Sequence, residues 1–209
     1  MCLVKGRGTV PNESLAFGED GNVPGDGQAA HIAAYWPTWR TLKSFIASDA
    51  KANPRNPKIK FVLVFLRFTQ VAMRDRDRPS FVSLPLIAVY RFLTEVGLGL
   101  EIRPKTIIGP GLTIHHGYAV VVNNQCVIGS GVTLRQCVTL GHQMQGGGCP
   151  VIGDGVEFGS NAVAVGNITI GEGAKIGAGS VVTKSVPPRY VAVGNPAVSR
   201  PQRGLDGPT

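Results

Sequence analysis

From Ile108 to Val182 the sequence repeats every six residues, a period that restricts the chain to very few architectures. The cleanest stretch reads Ile152-Gly-Asp-Gly-Val-Glu, Phe158-Gly-Ser-Asn-Ala-Val, Ala164-Val-Gly-Asn-Ile-Thr, Ile170-Gly-Glu-Gly-Ala-Lys and Ile176-Gly-Ala-Gly-Ser-Val, closing on Val182. Glycine follows the opening apolar residue at Gly153, Gly159, Gly171 and Gly177. Earlier rows keep the step in pieces, through Ile108, Ile114 and Val120 and then Ile128, Leu134 and Leu140. Hexads of this kind each supply one short strand and a turn of a parallel β-helix. Stacked coils bury a continuous apolar column that no single repeat could bury alone. The expected class is therefore mainly β.

A chain of 209 residues suits one such domain plus an appendage. Its 28 glycines follow the hexads, so they reflect architecture rather than low complexity. The four cysteines, Cys2, Cys126, Cys137 and Cys149, form no CxxC pair and no disulfide framework. A reducing, cytoplasmic setting is the simpler expectation. The first residues lack the apolar core of a signal peptide, and the longest apolar run, Phe61 to Leu66, is far too short to cross a bilayer.

The net charge of +8 is localised. Between Arg40 and Lys105 stand thirteen Lys and Arg against five Asp and Glu, so the coils themselves are nearly neutral. No nucleic-acid-binding motif accompanies the basic region, and nucleic acid is not an expected partner. Residues 1–30 read as a flexible lead-in rich in Gly, Pro, Asn, Asp and Glu. Residues 31–100 read as a basic helical region, with helices predicted over about 30–50, 58–74 and 81–96. The β-helix then spans 101–197, and 198–209 form a polar tail. The helical region can be read as a cap over the first coil, which is favoured, or as an element lying on an anionic membrane surface. Between Leu140 and Ile152, three glycines and a proline predict a loop pushed out of the coil, a common place for function in repeat folds.

Three of the four histidines fall in the repeat region: His115, His116 and His142, with His31 before it. Alternation along a coil allows only one of His115 and His116 to face a given groove. Imidazole is suited to taking a hydroxyl proton near neutral pH, and a carboxylate on its second nitrogen steadies the charge that develops. Glu101 precedes His116 by fifteen residues, three short of a full coil of three hexads, and so falls near it on the coil below. The competing reading is that both histidines fill a corner and Glu101 merely opens the first coil.

Glu101-Ile-Arg-Pro, Ile108-Gly-Pro-Gly-Leu-Thr-Ile-His-His-Gly117, Val138-Thr-Leu-Gly141 and Lys175-Ile-Gly-Ala-Gly-Ser-Val-Val182 together resemble the serine acetyltransferase family of hexapeptide acyltransferases. Ile114-His-His-Gly-Tyr-Ala-Val-Val-Val-Asn123 and Cys149-Pro150 are most similar to its colanic-acid biosynthesis members. The resemblance covers roughly Phe81 to Arg200. It implies a left-handed β-helix, a homotrimer whose trimers can pair, active sites between subunits, and acetyl-CoA as co-substrate with no tightly bound cofactor or metal. It further implies His116 as catalytic base and Glu101 in place of the family's partner aspartate.

Two departures bear on the acceptor. His115 stands where serine acetyltransferases carry an aspartate for the substrate ammonium, and Cys149-Pro150 stands near the end of the loop that carries their second histidine. Serine would then leave charge unmet, which is costly in a closed site. A neutral hydroxyl, as in an exopolysaccharide sugar, is the expected acceptor, with His115, His142 and Cys149 as substrate-binding residues. The pantetheine arm is expected along Gly159, Ser160, Gly177 and Ala178, with an oxyanion donor near Gly141 and Lys184 or Arg189 at the phosphates. Serine O-acetylation is the main alternative; a zinc hydratase built on shared histidines and a non-catalytic scaffold are the others. An acceptor carried on a lipid would give the basic helices a purpose at the inner face of a membrane.

Overall fold

The computed structural model describes residues 35–75, 79–144 and 147–202. The lead-in expected over residues 1–30, and His31, lie outside them. From Leu100 onward the chain winds as a left-handed β-helix of about five coils with three flat faces. The first face stacks β1 (Leu100–Ile102), β4 (Val120–Val122), β7 (Thr139–Gly141), β10 (Val163–Val165) and β13 (Val181–Val182). The second stacks β2 (Ile107–Ile108), β5 (Val127–Ile128), β8 (Val151–Ile152) and β11 (Thr169–Ile170). The third stacks β3 (Thr113–Ile114), β6 (Thr133–Leu134), β9 (Glu157–Phe158), β12 (Lys175–Ile176) and β14 (Tyr190–Gly194). An antiparallel strand, β15 (Ala197–Pro201), closes the last face against β14. The polar tail expected from residue 198 is thus a strand as far as Pro201, because an antiparallel partner can pair along β14 and cover that edge of the sheet.

The hexad residues Ile108, Ile114, Ile128, Leu134, Leu140, Ile152, Phe158, Ala164, Ile170, Ile176 and Val182 all point inward and form one core. Coil lengths show where the period breaks. Val121 stacks under Thr139 and Val163 under Val181, each eighteen residues on. Leu100 stacks under Val120, twenty residues on, so the first coil carries two extra residues at its last corner. Val127 stacks under Val151, twenty-four residues on, and the six extra residues lie in the Gly141–Pro150 segment. The loop predicted there is a real excursion.

Before the coils come α1 (Leu42–Ala52), α2 (Pro57–Met73) and α3 (Leu84–Arg91), the last continued by a π-helical turn over Phe92–Gly97. Asn56 caps α2 by accepting from the Ile59 N–H, and Pro57 occupies the first turn, where its missing N–H costs nothing. These helices lie over the open edge of the first coil and complete its hydrogen bonding with side chains. The Asn53 carboxamide donates to Leu112 O at 2.8 Å and accepts from Ile114 N at 3.1 Å, as a residue of a preceding strand would. Asp49 accepts from the N–H groups of Gly111 and Leu112. Arg67 donates to Ile108 O at 2.8 Å and Gly109 O at 2.7 Å, Gln70 to Thr106 O, and Tyr90 to Ile102 O. An unpaired sheet edge invites association or leaves buried polar groups unsatisfied; here three helices remove that cost. Arg67 and Asp49 are buried and bonded to each other at 2.9 Å, which couples α1, α2 and the first coil.

Candidate active site

The two extra residues of the first coil create the site. At the regular corners of this edge a single left-handed residue turns the chain into the next face: Ala119, Cys137, Asn161 and Gly179, with φ of 52°, 59°, 60° and 68°. Below Ala119 the chain also makes a γ-turn, in which Gly117 N–H donates to His115 O at 2.9 Å with His116 at the centre and φ 68°. A left-handed γ-turn centred on a histidine is rare and strained, and such outliers gather at functional positions. The bulge lifts both His115 and His116 onto the surface. The alternation expected from sequence, with only one of the two outward, holds within a strand and fails at this bulge.

Helix α2 braces the bulge from below. Ile59, fully buried, packs where a side chain on Gly117 would sit, and the Lys58 ammonium lies 3.8 Å from the centre of the Tyr118 ring. Between the bulge and the α1–α2 link lies a cleft of about 650 Å³, lined by Ala52, Asn53, Pro54, Arg55, Asn56, Thr113, Ile114, His115 and His116. The same Asn53 and Asn56 that pair with the coil backbone therefore form one wall of the histidine cleft. This wall had no signal in the sequence beyond the two Asn-Pro pairs, Asn53-Pro54 and Asn56-Pro57.

Glu101 projects from the outer side of β1, in register with Val121, five residues past His116. The expected separation of three residues short of a coil is in fact five short, because this coil has twenty residues. Glu101 accepts an ion pair from Arg103 at 3.0 Å, and among the described residues no hydrogen bond joins it to His116.

The residues assigned to the donor divide between two edges of the prism. Ser160 and Ala178 stand directly above the bulge along one edge, linked coil to coil by Cys137 N–H to Tyr118 O, Asn161 N–H to Gln136 O and Gly179 N–H to Ser160 O. Gly159 and Gly177 belong to this edge and also have a packing reason to be glycine. A side chain on Gly159 would meet Ala178 N at 2.5 Å, and one on Gly177 would meet Val193 at 2.6 Å. Lys184 is exposed on the following corner. Gly159→Ala is expected to lower thermal stability by about 1–3 kcal/mol whether or not acetyl-CoA is present. An unchanged melting temperature would show that the corner opens freely.

Gly141, His142 and Cys149 lie on a different edge, where the six-residue excursion leaves β7 and returns to β8. Gly141 O accepts from Gly166 N–H. Cys149 Sγ approaches His142 Nδ1 at 3.4 Å and anchors the foot of the loop. Cys149 is buried beside Cys126, and burial pushes both thiols up from the usual cysteine range, which disfavours the thiolate form a nucleophile needs. A substrate-binding role for the Cys149 side chain does not fit that burial within one chain. His142 is half-buried and does not share the His116 cleft in one chain.

Comparison with known proteins places the chain in a family. The bacterial transferase hexapeptide (six repeats) family matches residues 149–184. An Escherichia coli K12 protein named "Putative colanic acid biosynthesis acetyltransferase WcaB" is 46% identical over 116 residues, covering 55% of this chain and 72% of that one. The chain belongs to the hexapeptide-repeat acetyltransferases. A serine acetyltransferase of Bacillus pumilus is 43% identical over 118 residues, 56% of this chain and 52% of that one. Soybean serine acetyltransferase complexed with serine superposes with a TM-score of 0.64 at 36% identity, over 77% of this chain and 70% of that one. As an acetyltransferase of this family the protein is an O-acetyltransferase, and its exposed histidine bulge stands at the start of the β-helix.

Proposed function

We propose that this acetyltransferase moves the acetyl group of acetyl-CoA to a neutral sugar hydroxyl during exopolysaccharide synthesis. The observation that carries this reading is the lining of the histidine cleft: among the described residues it presents two asparagines, an arginine and two histidines, and no carboxylate. Asn53 is buried and spent on backbone groups, but the imidazoles, the remaining Asn56 N–H and the Arg55 guanidinium suit the donors and acceptors of a polyhydroxylated ring. The ammonium of serine would find no counter-charge there, although Arg55 could meet its carboxylate. The similarity to WcaB supports the same choice.

In this reading His116 removes the acceptor hydroxyl proton as the oxygen attacks the thioester carbonyl. The tetrahedral oxyanion is held by a backbone N–H, a contribution of about 10²–10³ in rate. Collapse expels CoA as thiolate, which takes the proton back from the imidazolium. Glu101 would turn from Arg103 to the second imidazole nitrogen and fix its orientation. The pantetheine arm would run up the prism edge past Ser160 and Ala178. Because His142 leaves a different edge, it would reach this cleft only from a neighbouring subunit, which supports a homotrimer with sites between chains. Acetyl-CoA as donor and unpaired thiols fit a cytoplasmic setting.

Serine O-acetylation is the second reading, favoured by the superposition on the soybean enzyme with serine. Thiol release from acetyl-CoA, measured with neutral oligosaccharide and separately with L-serine, tests the choice. The expected result is saccharide-dependent turnover at least tenfold above that with serine; the reverse order would establish serine as acceptor.

A further inference from the structure

Helix α2 is apolar on two sides. Ile59, Val62, Leu63, Leu66 and Met73 face the coil and are buried. A second stripe, Phe61, Val64, Phe68 and Ala72, follows the same helical spacing but lies outside that core, while Phe65 between them packs partly against it. Phe65 is half covered by Tyr90 of α3, with ring centroids 5.5 Å apart, while Phe61 and Phe68 remain 59% and 43% exposed. Helix α3 and its π-helical turn bury Tyr90 and Thr94 and expose most of their apolar side chains. Phe92 is 65% exposed, Val96 71%, Val89 52%, and Phe81, just ahead of the helix, 86%. Exposed apolar side chains in this number, on two helices joined through the Phe61–Phe65–Tyr90 ring contacts, mark an interaction site.

The charges around it select the occupant. Lys58 and Lys60 stand on the first turn of α2, and Arg74 follows its last residue. Over residues 35–105 the described chain carries eleven Lys and Arg against four Asp and Glu. Three of those acids are committed to Arg67, Arg91 and Arg103. A second copy laid face to face would oppose cation to cation. An anionic bilayer would receive the aromatic side chains in its interfacial layer and the cations at its headgroups.

We infer that the α2–α3 face docks on an anionic lipid surface. No described helix is long and apolar enough to span a membrane, so the contact is peripheral. The face also meets the site: Lys58 rests on Tyr118 of the histidine bulge, and Phe61 lies one turn further along α2. A saccharide carried on a lipid would thus be presented to His116 from the bilayer side, a clause that rests on the acceptor proposed above; the docking itself does not.

The test is co-sedimentation of the full chain with vesicles of equal parts phosphatidylglycerol and phosphatidylcholine, against phosphatidylcholine alone, with a Phe61→Ser/Phe92→Ser variant alongside. The expected result is binding to the anionic vesicles that weakens with salt, and a loss of roughly tenfold in partitioning for each phenylalanine removed. Turnover of a soluble oligosaccharide should be the same in the variant and the parent, which separates this outcome from a failure of the acceptor assignment. Absence of salt-sensitive binding, or equal binding by the variant, would overturn the inference. So would a fall in the solution mass of the variant by light scattering, which would identify a second copy as the occupant.

Discussion

Replacing Arg67 by Met is expected to destabilise the protein by about 3–5 kcal/mol, the cost of leaving one member of a buried ion pair behind. The guanidinium is fully buried and bonds Asp49, Gln70 and the carbonyls of Ile108 and Gly109. Methionine fills similar space but offers no donor, so two backbone acceptors at the edge of the first coil lose their partner and Asp49 loses its counter-charge. For a chain of this length each kcal/mol moves the melting temperature by about 2–4 °C, so a fall of roughly 10 °C is expected in thermal unfolding. A change of about 1 °C would mean that the helices do not cap the coil in the way their hydrogen bonds indicate. The consequence reaches the site, because Asn53 and Asn56 are held in the cleft wall by the same docking of α1 and α2.

The His116→Gly variant is expected to lose about 10²–10⁴ in turnover while keeping its stability. Position 116 has φ 68°, a conformation glycine adopts without strain. Relief of the left-handed strain, about 1–3 kcal/mol, opposes the greater chain entropy that glycine surrenders on folding, and the two nearly offset. The melting temperature should therefore stay within a few degrees of the parent, and the lost rate can be assigned to the imidazole. Retention of more than a third of the parent turnover, measured as CoA release with saturating acceptor, would remove His116 from the chemistry.

The hexads announced the β-helix because glycine and apolar residues kept phase through Val182, and a buried column tolerates little else. The bulge at the first corner has no sequence signature for a specific reason. Val120 falls six residues after Ile114 and looks like the next hexad, yet Leu140 stacks on Val122. Both valines point inward, so an apolar count cannot distinguish them. The excursion after Gly141 was visible because Gly and Pro replaced strand formers, whereas the burial of Cys149 depends on Cys126 one coil below and has no local signature. Arg67 and Asp49 were invisible as structural residues. In sequence they count as two charges of a basic region; only the fold places both against the unpaired edge of the first coil. The cleft wall depends on that docking and so was equally hidden, while the role of His116 as base rests on the family resemblance.

The most direct measurement is chemical rescue of His116→Gly: CoA release from acetyl-CoA and saccharide acceptor as free imidazole is titrated in. If the side chain at 116 is the base that deprotonates the acceptor, imidazole entering the vacated cleft should raise the rate at least tenfold, saturably and only with acceptor present. A variant that is already as fast as the parent, or a folded but inactive one that imidazole leaves unchanged, would contradict the assignment of His116 as the catalytic base.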